Sequence, residues 1–121
     1  MNEEDRIREE NELEERLIAK NIAFKLQTWL HSGKNNGRVS LQSARTLAPV
    51  LYVLGVSDFP LTAARIAADA LIELGNFSPE SNINQAIREG IRYNYIENID
   101  KDGIFVYELT KQGKQLFADS D

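Results

Sequence analysis

The strongest constraint on the fold of this 121-residue chain is the dipeptide Asp102-Gly103, which lies between IENI (96–99) and IFVYEL (104–109). A tight hairpin turn needs backbone with φ > 0, and glycine supplies it at no steric cost. The residues after the glycine are β-branched or aromatic, which favours a strand. The sequence therefore predicts a β-hairpin with its tip at residues 102–103.

The same stretch can also be aligned with a calcium-binding loop that begins at Asn98. Such a loop needs acids at alternate positions, glycine at position 6 and glutamate at position 12. Asp100, Asp102 and Gly103 fit, but position 1 is an amide and position 12 is Leu109. A helix should also follow the loop, whereas a strand is expected here, so the hairpin is the preferred interpretation.

Outside the hairpin, apolar residues recur at the spacing of amphipathic helices. Thr62 and Thr110 are suitable N-caps, and Gly55 and Gly75 are suitable helix ends. Glycines and asparagines predict a loop over residues 32–40. The predicted helices cover residues 1–31, about 41–54, 62–75, about 79–95, and a short segment after residue 110.

Two helix boundaries stay open at this level. Pro49 either kinks the second helix or lies in the first turn of a helix capped by Thr46. The fourth helix begins either with Ser78 as N-cap and Pro79 in the first turn, or with Ser81 as N-cap.

The first helix has two apolar faces, which lie nearly opposite each other when each residue turns by about 100°. A helix of this kind needs cover on both sides. Packing on the rest of the chain covers one face, and a second copy of the chain is the simplest cover for the other. The alternatives are that the domain wraps both faces or that the second face is exposed. The first face holds Ile7, Ile18, Ile22, Leu26, Trp29 and Leu30, and the second, the predicted dimerisation face, holds Leu13, Leu17 and Phe24.

Charge is unevenly distributed along the chain. Residues 1–16 carry eight acids and three arginines, whereas residues 17–121 are neutral, with eleven charges of each sign. The acidic start is unlike a secretory signal, and no apolar run approaches a membrane span of about 18 residues. We therefore expect a cytoplasmic protein, associated with the nucleoid if it binds DNA, and no membrane partner.

The sequence offers little for catalysis. It has no cysteine and one histidine, His31, which excludes the usual zinc sites. No glycine-rich phosphate loop is present. We expect no enzyme activity, no metal and no cofactor.

Three stretches together resemble the winged helix-turn-helix superfamily of small prokaryotic repressors. They are LTAARIA (61–67), LGNFSPESNINQAI (74–87) and IENIDKDGIFVYELTKQGKQLF (96–117). The resemblance covers residues 41–119. It implies a mainly α (α+β) fold, in which residues 79–95 form a recognition helix and the hairpin forms the wing. Two features depart from the family pattern. The connection between the helices is longer, with Asn76 and SPES, and the wing tip is acidic at Asp100 and Asp102.

The resemblance also implies which residues contact double-stranded DNA. Asparagine and glutamine match the edge of adenine, and arginine matches guanine. An ordinary solvated helix face has the same composition, so this alternative stays open. Serines at the helix start can contact a phosphate, as can a wing lysine. The expected DNA-binding residues are Ser78, Ser81, Asn82, Asn84, Gln85, Arg88, Arg92 and Lys101.

The sequence thus predicts a homodimeric, sequence-specific DNA-binding transcription regulator. One alternative is a winged-helix adapter that binds another protein and not DNA, which suits the neutral body and acidic wing. Another is an acidic antagonist that uses residues 1–16 to block a nucleic-acid-binding protein.

Overall fold

The computed structural model describes residues 2–33, 38–75 and 78–121. These residues form five helices and one antiparallel hairpin, which is a mainly helical α+β architecture. Residues 34–37 of the predicted loop, and Asn76 of the predicted connection, lie outside the described residues. The elements are α1 (Glu3–Ser32), α2 (Leu41–Val56), α3 (Ala63–Leu74), α4 (Glu80–Arg92), β1 (Ile96–Lys101), β2 (Ile104–Leu109) and α5 (Lys111–Ser120).

The first helix, α1, is continuous, as predicted. The Asn2 side chain accepts a hydrogen bond from the Asp5 amide at 2.8 Å, and Gly33 ends the helix in the left-handed conformation with φ 73°. Leu26 and Leu30 are completely buried, and Ala19 is the first buried residue along the helix. Residues 3–18, here called the arm, therefore contribute about 24 Å of helix without a buried side chain.

The second helix, α2, is central and runs unbroken through Pro49. Ser40 caps it, while the Thr46 hydroxyl donates back to the Ser43 carbonyl at 3.0 Å, so Thr46 is not an N-cap. The prediction that Gly55 closes this helix was wrong, because the helix continues to Val56. Gly55 instead lies against the ring of Phe117, where a Cβ atom would overlap the ring. Close packing, and not a turn, requires this glycine.

The boundaries of α3 agree with the prediction. The Thr62 side chain accepts from the Arg65 amide at 3.2 Å, and Gly75 is left-handed with φ 65°.

The start of α4 differs from both predictions, since neither Ser78 nor Ser81 is its N-cap. Pro79 occupies that position, and the side chains provide no capping hydrogen bond. The extended ψ of Pro79, 150°, lets its carbonyl accept the first helical bonds from Asn82 and Ile83.

The end of α4 also differs, because the helix stops at Arg92 and not near Tyr95. Asn94 has φ 64°, which turns the chain out of the helix. The Tyr95 amide then donates to the Gly90 carbonyl at 2.8 Å, and the Tyr95 side chain enters the core just before β1.

The predicted hairpin is confirmed. Ile96 pairs with Leu109 and Lys101 with Ile104, and both turn residues have positive φ: 56° for Asp102 and 80° for Gly103. Two positive values identify a type I′ turn, whose twist matches that of paired strands. The calcium-loop alternative needs a helix at residues 104–109, which are instead strand β2.

A further pairing was not predicted. The amide and carbonyl groups of Leu61, just before α3, exchange hydrogen bonds with Tyr107 at 3.0 and 2.8 Å. Because β1 lies on the other edge of β2, the local order is Leu61, β2, β1. The hairpin is therefore joined to the start of α3.

Within the hairpin, Glu97 and Glu108 lie directly opposite each other. A hydrogen bond from the protonated Glu108 carboxyl to Glu97, together with burial and the charge of Glu97, raises the pKa of Glu108 above 4.5, and the Lys114 ammonium opposes the shift. A raised pKa in the folded chain means that the stabilisation is complete below pH 4.5 and is lost as the pH rises through the shifted value.

We expect Glu108→Gln to raise the free energy of unfolding by about 0.5 kcal/mol at pH 7, because like charges directly opposite each other destabilise a hairpin. Below pH 4 the gain should disappear. Urea unfolding of the native chain, Glu97→Gln, Glu108→Gln and the double variant at pH 4 and pH 7 measures the coupling. A gain that is equal at both pH values would contradict the shared proton.

Candidate nucleic-acid interface

Helix α4 separates its core side from its solvent side. One side holds the buried residues Ile83, Ala86, Ile87 and Gly90. The centre of the opposite side holds exposed residues at i, i+4, i+7 and i+11, the spacing of a single helix face. This group, here called the α4 stripe, consists of Ser81, Gln85, Arg88 and Arg92.

The remaining predicted DNA-binding residues of α4 flank the stripe. Asn82 is exposed and faces the start of α2, while Asn84 is half-buried on the other flank. Ser78 is half-buried before the helix begins. A cleft of about 310 Å³ separates α4 from the start of α2. The sequence analysis did not predict that residues of α2 line it. The lining residues are Ser40, Gln42, Ser43, Thr46, Asn82, Gln85 and Glu89.

The two arginines supply positive charge to the stripe. Among the described residues, the ion pairs are Arg6–Glu3, Arg8–Asp5 and Arg65–Asp69, so neither Arg88 nor Arg92 takes part in one. The Arg92 guanidinium lies 5.8 Å from the centre of the Tyr93 ring, in a cation–π contact that uses the face of the group and not its N–H donors. Both guanidinium groups therefore keep hydrogen-bond donors for a ligand.

The first turn of α4 also offers donors. Helices leave their first amide N–H groups without partners in the helix, and here the side chains provide no cap. Ser81 is exposed in this first turn, as a phosphate contact requires. Such an end attracts anions such as phosphate, although the Glu80 side chain in the same turn opposes them.

The tip of the hairpin is unlike a phosphate-binding loop. Lys101 is exposed, but Asp100 and Asp102 lie on either side of it. Ile104 and Phe105 follow with exposed fractions of 57% and 62%. The sequence analysis did not single out these two apolar residues. The rest of β2, from Val106 to Leu109, is half-buried or buried.

The predicted dimerisation face of α1 is not covered by the chain itself. Leu13, Leu17 and Phe24 have exposed fractions of 61%, 55% and 66%. This contradicts the alternative in which the domain wraps both faces. Ile7 and Ile18, assigned to the core face, are exposed as well, because they lie in the arm, before the first buried residue.

The described residues contain no group of three or more His, Cys, Asp and Glu that could hold a metal ion. None of the helices in ranges 2–33, 38–75 and 78–121 is long and apolar enough to cross a membrane. The Nδ1 atom of His31 lies 3.0 Å from the Val39 carbonyl oxygen, so this ring joins the end of α1 to the start of α2.

The α4 stripe thus combines side-chain amide, hydroxyl and guanidinium groups on one exposed face. With α4 in one position on a duplex, these groups can contact both base edges and phosphates. No protein-family model, curated protein or solved structure matches the chain.

Proposed function

We propose that this chain is a winged helix-turn-helix, sequence-specific DNA-binding transcription regulator that acts as a homodimer. The observation that carries the proposal is the α4 stripe, whose exposed Gln85, Arg88 and Arg92 follow the helix at the spacing of one face. A helix of this kind fits the major groove, where glutamine recognises adenine and arginine recognises guanine.

The order of elements supports the winged-helix part of the proposal. Helices α2, α3 and α4 are followed by the hairpin, and Leu61 before α3 pairs with β2. In helix-turn-helix proteins the second helix of the motif enters the groove while the first crosses the backbone. Here α3 and α4 take those two roles, and the hairpin is the wing beside α4.

The distribution of charge supports contact through α4 and not through the wing. Arg88 and Arg92 are exposed, whereas the wing offers Lys101 between two acids. The excess acid of the chain is in residues 1–16, at the opposite end of α1 from the part that packs in the core. The DNA phosphates therefore contact the neutral part of the chain, where the two α4 arginines supply positive charge.

Selection from a random duplex pool tests this function. The full chain is mixed with random-sequence duplexes in about 100 mM salt, because affinity is meaningful only at a stated salt concentration. The bound fraction is then sequenced. We expect an inverted repeat with half-sites about one helical turn apart. A pool that stays random, with protein shown to be folded by circular dichroism, would contradict the function.

A protein-binding adapter is the second candidate, and the hairpin tip favours it. Ile104 and Phe105 are exposed on a segment that also carries Asp100 and Asp102. Exposed apolar residues beside acids suit a protein surface better than a phosphate backbone. In this case Ile104→Ser and Phe105→Ser would abolish partner binding, whereas in the regulator they leave duplex affinity unchanged.

A further inference from the structure

The uncovered side of α1 has a regular spacing beyond the three apolar residues that mark it. Positions on this side recur at alternating steps of four and three residues, the seam pattern of a coiled coil. None of the side chains in this set, here called the seam, is buried in the chain. The seam consists of Arg6, Glu10, Leu13, Leu17, Lys20, Phe24, Gln27 and His31.

The seam is symmetric about its centre, between residues 18 and 19. Its steps are the same in either direction, so a second α1 running the opposite way meets it in register. Leu13 then faces Phe24 of the second copy, and Phe24 faces Leu13 of the second copy. Leu17 faces the aliphatic stem of Lys20 of the second copy, whose ammonium group can reach solvent. Such a contact is isologous, as a twofold dimer requires.

Charge separates this antiparallel arrangement from a parallel one. Residues 1–16 have a net charge of −5, while residues 17–32 contain Lys20 and Lys25 and no acid. A parallel pair places the two acidic segments side by side, which is repulsive. An antiparallel pair places each acidic segment beside the lysines of the second copy, with Glu12 at the level of Lys25.

The body beside the seam completes the surface that an incoming arm would meet. A cleft of about 330 Å³ lies next to Phe24. Pro49 and Leu74 supply apolar lining, and Lys20 supplies positive charge. An acidic arm that carries Leu13 matches this cleft in both polarity and charge.

We infer that two copies of the chain associate through an antiparallel pair of α1 helices, with the arm of each seated over the Phe24 cleft of the other. The inference rests on the homodimer of the proposed function and adds its geometry. It also gives the arm the tertiary packing that its own core does not supply, and such packing is the main source of helix stability in proteins.

Disulfide exchange tests the geometry, because the native chain has no cysteine to interfere. Leu13→Cys and Phe24→Cys chains are mixed and oxidised, and the products are separated by mass. Both positions are exposed, and circular dichroism checks that each variant folds. Ile18→Cys, equally exposed but on another side of α1, is the matched control. We expect the mixed disulfide to exceed either homodimeric product by about tenfold, through its higher effective concentration.

Failure of the antiparallel geometry can be distinguished from failure of the homodimer and of DNA binding. If the Leu13→Cys chain and the Phe24→Cys chain each pair mainly with themselves, the pair of helices is parallel, which would overturn the inference but leave the dimeric regulator in place. Products no greater than the Ile18→Cys background, with a dimeric mass by sedimentation equilibrium, would move the interface elsewhere. A monomeric mass would remove the homodimer as well as the inference, and duplex selection would then test DNA binding independently.

Salt gives a second reading of the same geometry. Complementary charges are screened by salt, so the dimer dissociation constant should rise severalfold between about 0.05 and 0.5 M NaCl. A dissociation constant that falls over this range would indicate that the acidic segments lie side by side.

Discussion

Arg88→Ala is expected to weaken binding of the selected duplex by about thirtyfold or more, since a good arginine–guanine contact contributes about 1–3 kcal/mol and the homodimer loses one contact in each half-site. Arg92→Ala should have a comparable effect, through either a base or a phosphate. Both side chains are exposed and form no ion pair among the described residues, so the main cost to the fold is the cation–π contact of Arg92 with Tyr93, about 0.5–1 kcal/mol. Fluorescence anisotropy with a labelled duplex measures the change, and the melting temperature shows that the fold is intact.

Lys114→Ala is the matched control, because Lys114 is an exposed cation on α5 and not on α4. Its duplex affinity should stay within about twofold of the native value, apart from the general effect of net charge. Equal losses in Lys114→Ala, Arg88→Ala and Arg92→Ala would indicate non-specific attraction. Unchanged affinity in both α4 variants would remove α4 from the interface.

Gly113→Ala is expected to lower the free energy of unfolding by about 2–3 kcal/mol, as overpacking of a tight site does. The position is buried, and a Cβ atom there would overlap the carbonyl oxygen of Tyr95 and come within 3.2 Å of the Leu109 Cβ. Tyr95 cannot yield easily, because its carbonyl accepts a hydrogen bond from the Thr110 amide at 3.0 Å and its side chain is buried.

Thermal unfolding followed by circular dichroism checks this prediction. The expected loss corresponds to a fall of about 10 °C in the melting temperature for a domain of this size. Lys111→Ala, an exposed position on the same helix, should change it by no more than about 2 °C. A Gly113→Ala chain as stable as the control would show that α5 does not contact the α4–β1 connection as closely as described.

Features with a local cause were predictable from the sequence. The turn at Asp102-Gly103 follows from its need for positive φ, and the caps at Thr62 and Thr110 follow from a side-chain oxygen beside unpaired amides. Gly75 likewise ends α3 because glycine adopts the left-handed conformation. The turn, the caps and the end of α3 are each determined by residues adjacent in the sequence.

Features with a tertiary cause were not predictable. Gly55, like Gly75, follows an apolar helical segment in the sequence. It lies inside α2, however, where the ring of Phe117, which is distant along the chain, leaves no room for a Cβ atom. The chain turns out of α4 at Asn94, which has φ 64°, and Tyr95 then enters the core although its spacing continues the apolar pattern of the helix. The pairing of Leu61 with Tyr107 joins segments that no local pattern connects.

In the candidate site, too, features with a local cause were predictable and features with a tertiary cause were not. Helical periodicity places Gln85, Arg88 and Arg92 on one exposed face. The same periodicity could not show that Asn82 faces a cleft against α2, since that depends on how the two helices pack. Nor could it show that the apolar tip of β2 extends past the body.

Duplex selection repeated with Arg88→Ala tests most directly that a dimer reads DNA with α4. In parallel with the native chain, the variant should enrich the same inverted repeat but lose its base preference at one position in each half-site. The two positions should be related by the twofold symmetry of the repeat. Identical base preferences for both chains, or no enrichment by either, would contradict the proposed recognition by α4.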